Sequence, residues 1–169
     1  MKSLFAAALA SLAIAAPAAA QVYGNVGYTF VHSEDADLGA VGVKLGYKFN
    51  PYVGVEAEGA FGVKNDDVQV LGVPVKVKLQ DAAAAYVVGF YPVSDKLDLF
   101  ARAGYGTVKV KASAAGVSAK GDQDGWNLGA GGQYFFDEKN GVRAEYTKWS
   151  VDDSDVDADT WSISYVRKF

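Results

Sequence analysis

Eight stretches of this chain alternate, residue by residue, between an apolar side chain and one that is small, polar or charged: residues 22–32, 39–49, 52–63, 73–91, 97–112, 125–136, 141–151 and 159–169. A period of two puts the two sets on opposite faces of an extended strand, whereas a helix would mix them. Residues 39–49 are the clearest case, with Val41, Val43, Leu45, Tyr47 and Phe49 on one parity and Ala40, Gly42, Lys44, Gly46 and Lys48 on the other. Residues 125–136 repeat it, with Trp126, Leu128, Ala130, Gly132, Tyr134 and Phe136 set against Asn127, Gly129, Gly131 and Gln133.

The connections alternate too. Residues 50–51, 92–96 and 137–140 are short turns, while 33–38, 64–72, 113–124 and 152–157 read as longer loops rich in acids. An even number of strands with short turns at one end and long loops at the other is the pattern of a transmembrane β-barrel with both termini in the periplasm. Apolar faces ending in aromatics, as at Tyr28 and Phe30, Tyr47 and Phe49, and Tyr134 and Phe136, suit interfacial girdles. The expected fold is therefore all-β: an eight-stranded antiparallel up-and-down transmembrane β-barrel. A soluble lipocalin-like barrel is the competing reading, because alternation alone does not say which face is wet.

Residues 1–20 are of a different kind. Lys2 supplies a positive start, residues 4–15 are small and apolar, and Ala18-Ala19-Ala20 follows Pro17, which together read as a signal peptide cleaved after Ala20, leaving a single domain over 21–169. There is no Cys, which excludes disulfides, thiolate metal sites and a lipid-modified cysteine. The 16 Lys and Arg less Lys2 leave 15 against 20 Asp and Glu, a net charge of about −5 that argues against a nucleic-acid partner.

At the C-terminus Trp161, Ile163, Tyr165 and Phe169 share one parity, and the ending on Phe resembles the signal by which the barrel-assembly machinery recognises outer-membrane clients. Arg167 departs from it, standing where that signal usually has an aromatic or apolar residue, although a long cation near an interface can snorkel. With Phe49-Asn50-Pro51-Tyr52, residues 99–106 (LFARAGYG) and Val142-Arg143-Ala144-Glu145-Tyr146, the chain resembles the small outer-membrane β-barrel family that includes the OmpA barrel domain, the OmpX type and opacity-like proteins. The resemblance implies a Gram-negative outer-membrane location, lipid and lipopolysaccharide as surroundings, and the assembly machinery as a partner in biogenesis. The peptidoglycan-binding domain that follows the OmpA barrel has no counterpart before Phe169, so wall anchoring is not carried over.

On the inward parity stand Lys44, Glu56, Glu58, Arg102, Arg143 and Glu145, three cations and three anions. If residues 39–49 and 52–63 pair across Asn50-Pro51, Lys44 falls opposite Glu56 or Glu58, and a lumenal belt of ion pairs follows. Eight strands leave an interior that side chains fill, so such a belt plugs the barrel rather than lining a channel. His32 is the sole histidine, with Ser33 beside it, but adjacent residues of a strand point to opposite faces, which makes an interfacial His a better reading than a hydrolytic site. Asp152, Asp153, Asp155, Asp157 and Asp159 lack the Gly turn and final Glu of an EF-hand and read as a solvated loop.

Lys76 and Lys78 alternate with Val75, Val77 and Leu79, and Lys109 and Lys111 with Val108 and Val110. In residues 97–112 the apolar parity thus switches from Leu99, Ala101, Ala103 and Tyr105 to Val108 and Val110, so that this end either projects above the hydrocarbon or contains a bulge near Gly106. The four lysines form an expected cationic face on an extracellular β-ribbon, able to meet lipopolysaccharide phosphates. The expected function is a monomeric, non-enzymatic envelope protein, without cofactor or metal, in a structural or surface-interaction role. A narrow low-conductance pore and a surface adhesin are the alternatives.

Overall fold

The computed structural model describes residues 21–33, 36–64, 66–70, 73–114, 117–151 and 157–169. Residues 1–20, and with them the expected signal peptide, lie outside the described residues. Nine strands follow in chain order: β1 (Gln21–Ser33), β2 (Ala36–Asn50), β3 (Val53–Lys64), β4 (Asp66–Val70), β5 (Val73–Ser94), β6 (Leu97–Ala114), β7 (Val117–Phe135), β8 (Asn140–Val151) and β9 (Asp157–Lys168). Each pairs antiparallel with its neighbour in sequence, except that β3 passes over β4 to pair with β5, Val53 opposite Gly89 through Phe61 opposite Asp81. With β1 paired to β9, eight strands close into a ring, and β4 hangs as a short hairpin on the far part of β5. Closure leaves the ring without an unpaired edge, the condition for a sheet to sit in hydrocarbon.

Exposure identifies the wet face. Val43, Leu45, Leu128 and Ile163 are each more than half exposed on the outside, whereas Lys44, Arg102 and Arg143 are buried within. A soluble barrel does the opposite, so the apolar outer band is a surface for lipid and the lipocalin-like alternative falls. Aromatic pairs stand at both ends of that band: Tyr47 with Phe49 near the short turns, and Tyr28 with Phe30, Tyr105 with Trp126 and Tyr146 with Trp161 near the long hairpins.

Each short turn is held by its own side chain. Asn50 Oδ1 accepts from the backbone N–H of Tyr52 and Val53, Ser94 Oγ from those of Lys96 and Leu97, and Asp137 Oδ1 from those of Lys139 and Asn140. These are local alternatives to ladder bonding, and they pin the register of the hairpins they close. The Asn140 amide also donates to Asp137 and, with the two backbone bonds, holds the Asp137 carboxyl below its ordinary value. A depressed folded-state value means that this turn contributes full stability above about pH 4 and loses it as pH falls further. Asp137→Ala is therefore expected to lower the urea midpoint at neutral pH, with the gap from the parent narrowing as the titration is repeated toward pH 3.

Two expectations are corrected. Residues 36–38, 66–70, 113–114 and 117–124, read above as loop, are strand. Where a hairpin stands in water on both faces, nothing selects an apolar parity, so pairing continues without an alternation cue. The bulge is also not near Gly106. β6 pairs β7 without a break from Leu97 opposite Tyr134 to Ala114 opposite Val117, and the irregularity lies on β5 between Leu79 and Asp81. β6 keeps its parity throughout: Val108 and Val110 continue the inward set, and Lys109 the outward one. The apparent switch arises because, beyond Arg102, the interior becomes apolar while the outside becomes wet.

Candidate functional site

Register brings all six expected belt residues to one level. Lys44 lies opposite Glu58, and Glu56 sits two residues nearer the turn, opposite Gly46 on one side and Tyr86 on the other. Arg102 Nη1 donates to Glu58 Oε2 at 2.8 Å, and its Nη2 lies 2.7 Å from Glu145 Oε1 and donates to Thr147 Oγ1 at 2.8 Å. Arg143 donates to both oxygens of Glu56, at 2.5 and 3.1 Å, and through Nε to Glu145 Oε2 at 2.9 Å. Lys44 Nζ donates to Glu145 Oε1 and stands 3.9 Å from Glu58 Oε1. Three cations and three carboxylates thus form one network across the lumen.

Charge removed from water is costly even when paired, and in this network three cations are balanced by three carboxylates. Both guanidinium groups also stand over aromatic rings, Arg102 Cζ 4.0 Å from the centre of Tyr86 and Arg143 Cζ 3.8 Å from that of Phe100. Beneath the belt, toward the short turns, Tyr23, Tyr86, Val88, Phe90, Phe100, Phe135 and Val166 fill the barrel. Tyr23 reaches the belt by crossing a strand: from β1 its ring passes over Gly46 of β2, and its hydroxyl donates to Glu56 Oε1 of β3 at 2.6 Å.

A second ion pair, Lys48 with Asp98 at 2.8 Å, lies toward the short turns and was not among the expected belt residues. Gln133 donates to the same carboxylate oxygen at 2.9 Å, and Lys48 Nζ stands over the Phe90 ring. Lys48 shares the parity of Lys44, and Asp98 that of Arg102, so the count that finds the belt could also have found this pair.

The other sequence-derived residues are scattered. Trp161, Ile163, Tyr165 and Phe169 are exposed on the outer face, with the Phe169 backbone N–H donating to Val22 O at 2.9 Å. His32 is exposed and lies in register between Asp37 of β2 and Asp159 of β9. Asp159 accepts a hydrogen bond from the Tyr146 hydroxyl at 2.6 Å, Asp157 opens β9, and Asp152, Asp153 and Asp155 lie outside the described residues. Among the described residues no cluster of His, Asp and Glu is arranged to hold a metal ion.

The four expected lysines occupy positions on one face of the β5–β6 ladder, but that face is not uniformly cationic. Lys109 donates to Asp81 at 2.7 Å and lies opposite Asp122 in register, so that row reads Asp-Lys-Asp across β5, β6 and β7. One pair further out, Lys111 lies opposite Lys78 on one side and Lys120 on the other, a Lys-Lys-Lys row that includes a residue the sequence reading missed. Lys76 pairs with Ser113 and Asp67 instead.

A closed ring of eight antiparallel strands, apolar outside and charged within, defines the class of small transmembrane β-barrels. The chain belongs to the outer membrane protein beta-barrel domain family, whose model matches residues 4–169. No curated protein matches it significantly. Among solved structures it is similar to Ail, the attachment invasion locus protein of Yersinia pestis, in complex with the heparin analogue sucrose octasulfate. Identity there is 21%, the TM-score is 0.67, and 89% of this chain and 99% of that one are covered. The N-terminal β-barrel domain of Pseudomonas aeruginosa OprF is 12% identical with a TM-score of 0.64, covering 89% of this chain and 99% of that one. OprG from the same organism is 14% identical with a TM-score of 0.62, covering 89% and 96%. At these identities the likeness is one of fold.

Proposed function

We propose that this outer-membrane barrel neither conducts nor catalyses, and that it acts as a surface-interaction protein whose long hairpins, at the extracellular end, bind the phosphate groups of lipopolysaccharide. The Lys78-Lys111-Lys120 row carries this reading. Like charges at directly opposed positions of a sheet repel, and an anion between them relieves the repulsion. In the row below, Lys109 is already paired with Asp81 and lies opposite Asp122 in register. Lysine suits phosphate as a point charge. The end of the barrel away from both chain termini is the extracellular one under the short-turn and long-hairpin rule. Sulfate offers similar oxygens, and Ail is a neighbour seen with a polysulfated ligand, so the adhesin alternative shares this chemistry.

Replacing Lys78, Lys111 and Lys120 together by Gln tests the reading. At about 1 kcal/mol for each lysine near an anionic surface, the loss is roughly a hundredfold in binding to lipopolysaccharide vesicles at low ionic strength. Lys109→Gln should leave binding near the parental level. Equal binding by the triple variant and its parent would overturn the reading, and loss of binding to immobilised heparin with lipopolysaccharide binding intact would favour the adhesin.

A further inference from the structure

Above the belt, on the long-hairpin side, the lumen is not filled. A cavity of about 230 Å³ lies there, walled by Leu38, Ala40, Ala60, Leu79, Val108 and Trp149 and floored by Glu58, Arg102 and Glu145. The Trp149 side chain reaches across from β8 to Gly106 on β6, where a Cβ would come within 2.9 Å of Cη2, so the small residue leaves room for the indole at the wall. An engineered cavity of roughly 150 Å³ with similar apolar walls takes up benzene and stays dry. This one is larger and has a polar end.

The polar end is not symmetrical in charge. The Nη1 and Nη2 atoms of Arg102 are turned to Glu58, Glu145 and Thr147, and both Glu145 oxygens meet cations. Glu58 differs. One oxygen accepts from Arg102, while among the described residues the other, Oε1, meets only Lys44 Nζ at 3.9 Å, beyond hydrogen-bonding distance. Glu58 is also the most exposed belt side chain, at 15% against 3% for Glu145. The floor therefore offers the cavity a carboxylate oxygen with spare accepting capacity, while the two Nη atoms of Arg102 are engaged within the belt and its Nε, unpartnered among the described residues, is buried beside Gly129 of β7.

We propose that this cavity is a blind binding site, entered from the long-hairpin end, for a small apolar molecule bearing a protonated amine, with the apolar body against Leu38, Ala60, Leu79 and Val108 and the ammonium on Glu58 Oε1. An anion of the same shape meets an acceptor-only oxygen and is rejected. A neutral analogue keeps the apolar contact and loses the charge-assisted bond. The site is independent of the hairpin lysines, and its ligand need not cross the belt.

The test uses the folded barrel in detergent, methyl NMR signals from Ala60, Ala82 and Val108, and 2-phenylethylamine as probe, with phenylacetate and 2-phenylethanol as controls. The amine is expected to shift those signals saturably, the alcohol to bind more weakly and phenylacetate not to bind. Ala60→Phe, which fills the cavity, should abolish the effect while the protein still migrates in its folded form. Glu58→Gln should weaken the amine by about tenfold or more. If Glu58→Gln does not fold, the amine-over-carboxylate preference of the parent and the Ala60→Phe result decide. Shifts confined to Val87 and Leu128 on the lipid face, equal binding of phenylacetate, or undiminished affinity in either folded variant would overturn the proposal.

Discussion

Replacing Arg143 by Met is expected to lower the stability of the barrel by about 3–5 kcal/mol, the range for removing one partner of a buried ion pair. Arg143 is fully buried, and its guanidinium supplies both bonds to Glu56, one to Glu145 and the cationic face on Phe100. Met fills a similar space without charge, so the variant leaves Glu56 with the Tyr23 hydroxyl at 2.6 Å and Arg102 at 3.5 Å. The charge balance of the belt then falls to −1 in a space from which water is largely excluded. Combining Arg143→Met with Glu56→Gln should recover a large part of the loss, because the uncompensated carboxylate is gone. Urea unfolding of parent, singles and double in lipid vesicles measures the coupling directly. Simple additivity would mean that the two residues do not act as a pair.

The second large effect falls on a residue without a side chain. Gly46→Ala is expected to cost about 2–4 kcal/mol, from overpacking and from a weakened hydrogen bond to a buried charge. A Cβ at Gly46 would overlap the Tyr23 ring, which lies across β2 to reach Glu56. The tyrosine cannot yield inward, since Phe90 packs edge-on to it at 6.1 Å in the filled half of the lumen. The same unfolding measurement on Tyr23→Leu and on Tyr23→Leu with Gly46→Ala separates the causes. Once the ring is absent, the added methyl should cost little. An equal cost in both backgrounds would place the strain in the backbone of β2 instead.

How far the sequence carried the fold follows from where lipid acts. Between Val41 and Phe49, or Trp126 and Tyr134, hydrocarbon demands one apolar face, and the parity is plain. Past Lys109 both faces of the hairpins meet water, so the tip of β6 and the outer part of β7, residues 113–114 and 117–124, read as loop in the sequence. The lumenal charges were legible for the same reason, since Lys44 and Arg102 sit on the parity opposite the lipid face. Lys44 could be set against Glu56 or Glu58 because Asn50-Pro51 is too short to leave much choice of register, and the structure pairs it with Glu58. Tyr23 over Gly46 to Glu56 was not legible, because it needs two registers at once. Nor was the Lys-Lys-Lys row: it depends on the extra residue of β5 between Leu79 and Asp81, which displaces every pairing beyond it. The cavity was hidden by composition, because Ala40, Ala60 and Ala82 are unremarkable in any strand, and only the closed ring sets them around one space.

Conductance of the purified, refolded barrel in a planar bilayer tests the central claim, that the belt and the aromatic layer beneath it close the lumen. The expected record is a membrane that carries no steady ionic current after insertion. A sustained, reproducible current from the parent protein, lost when the barrel is denatured before addition, would contradict it.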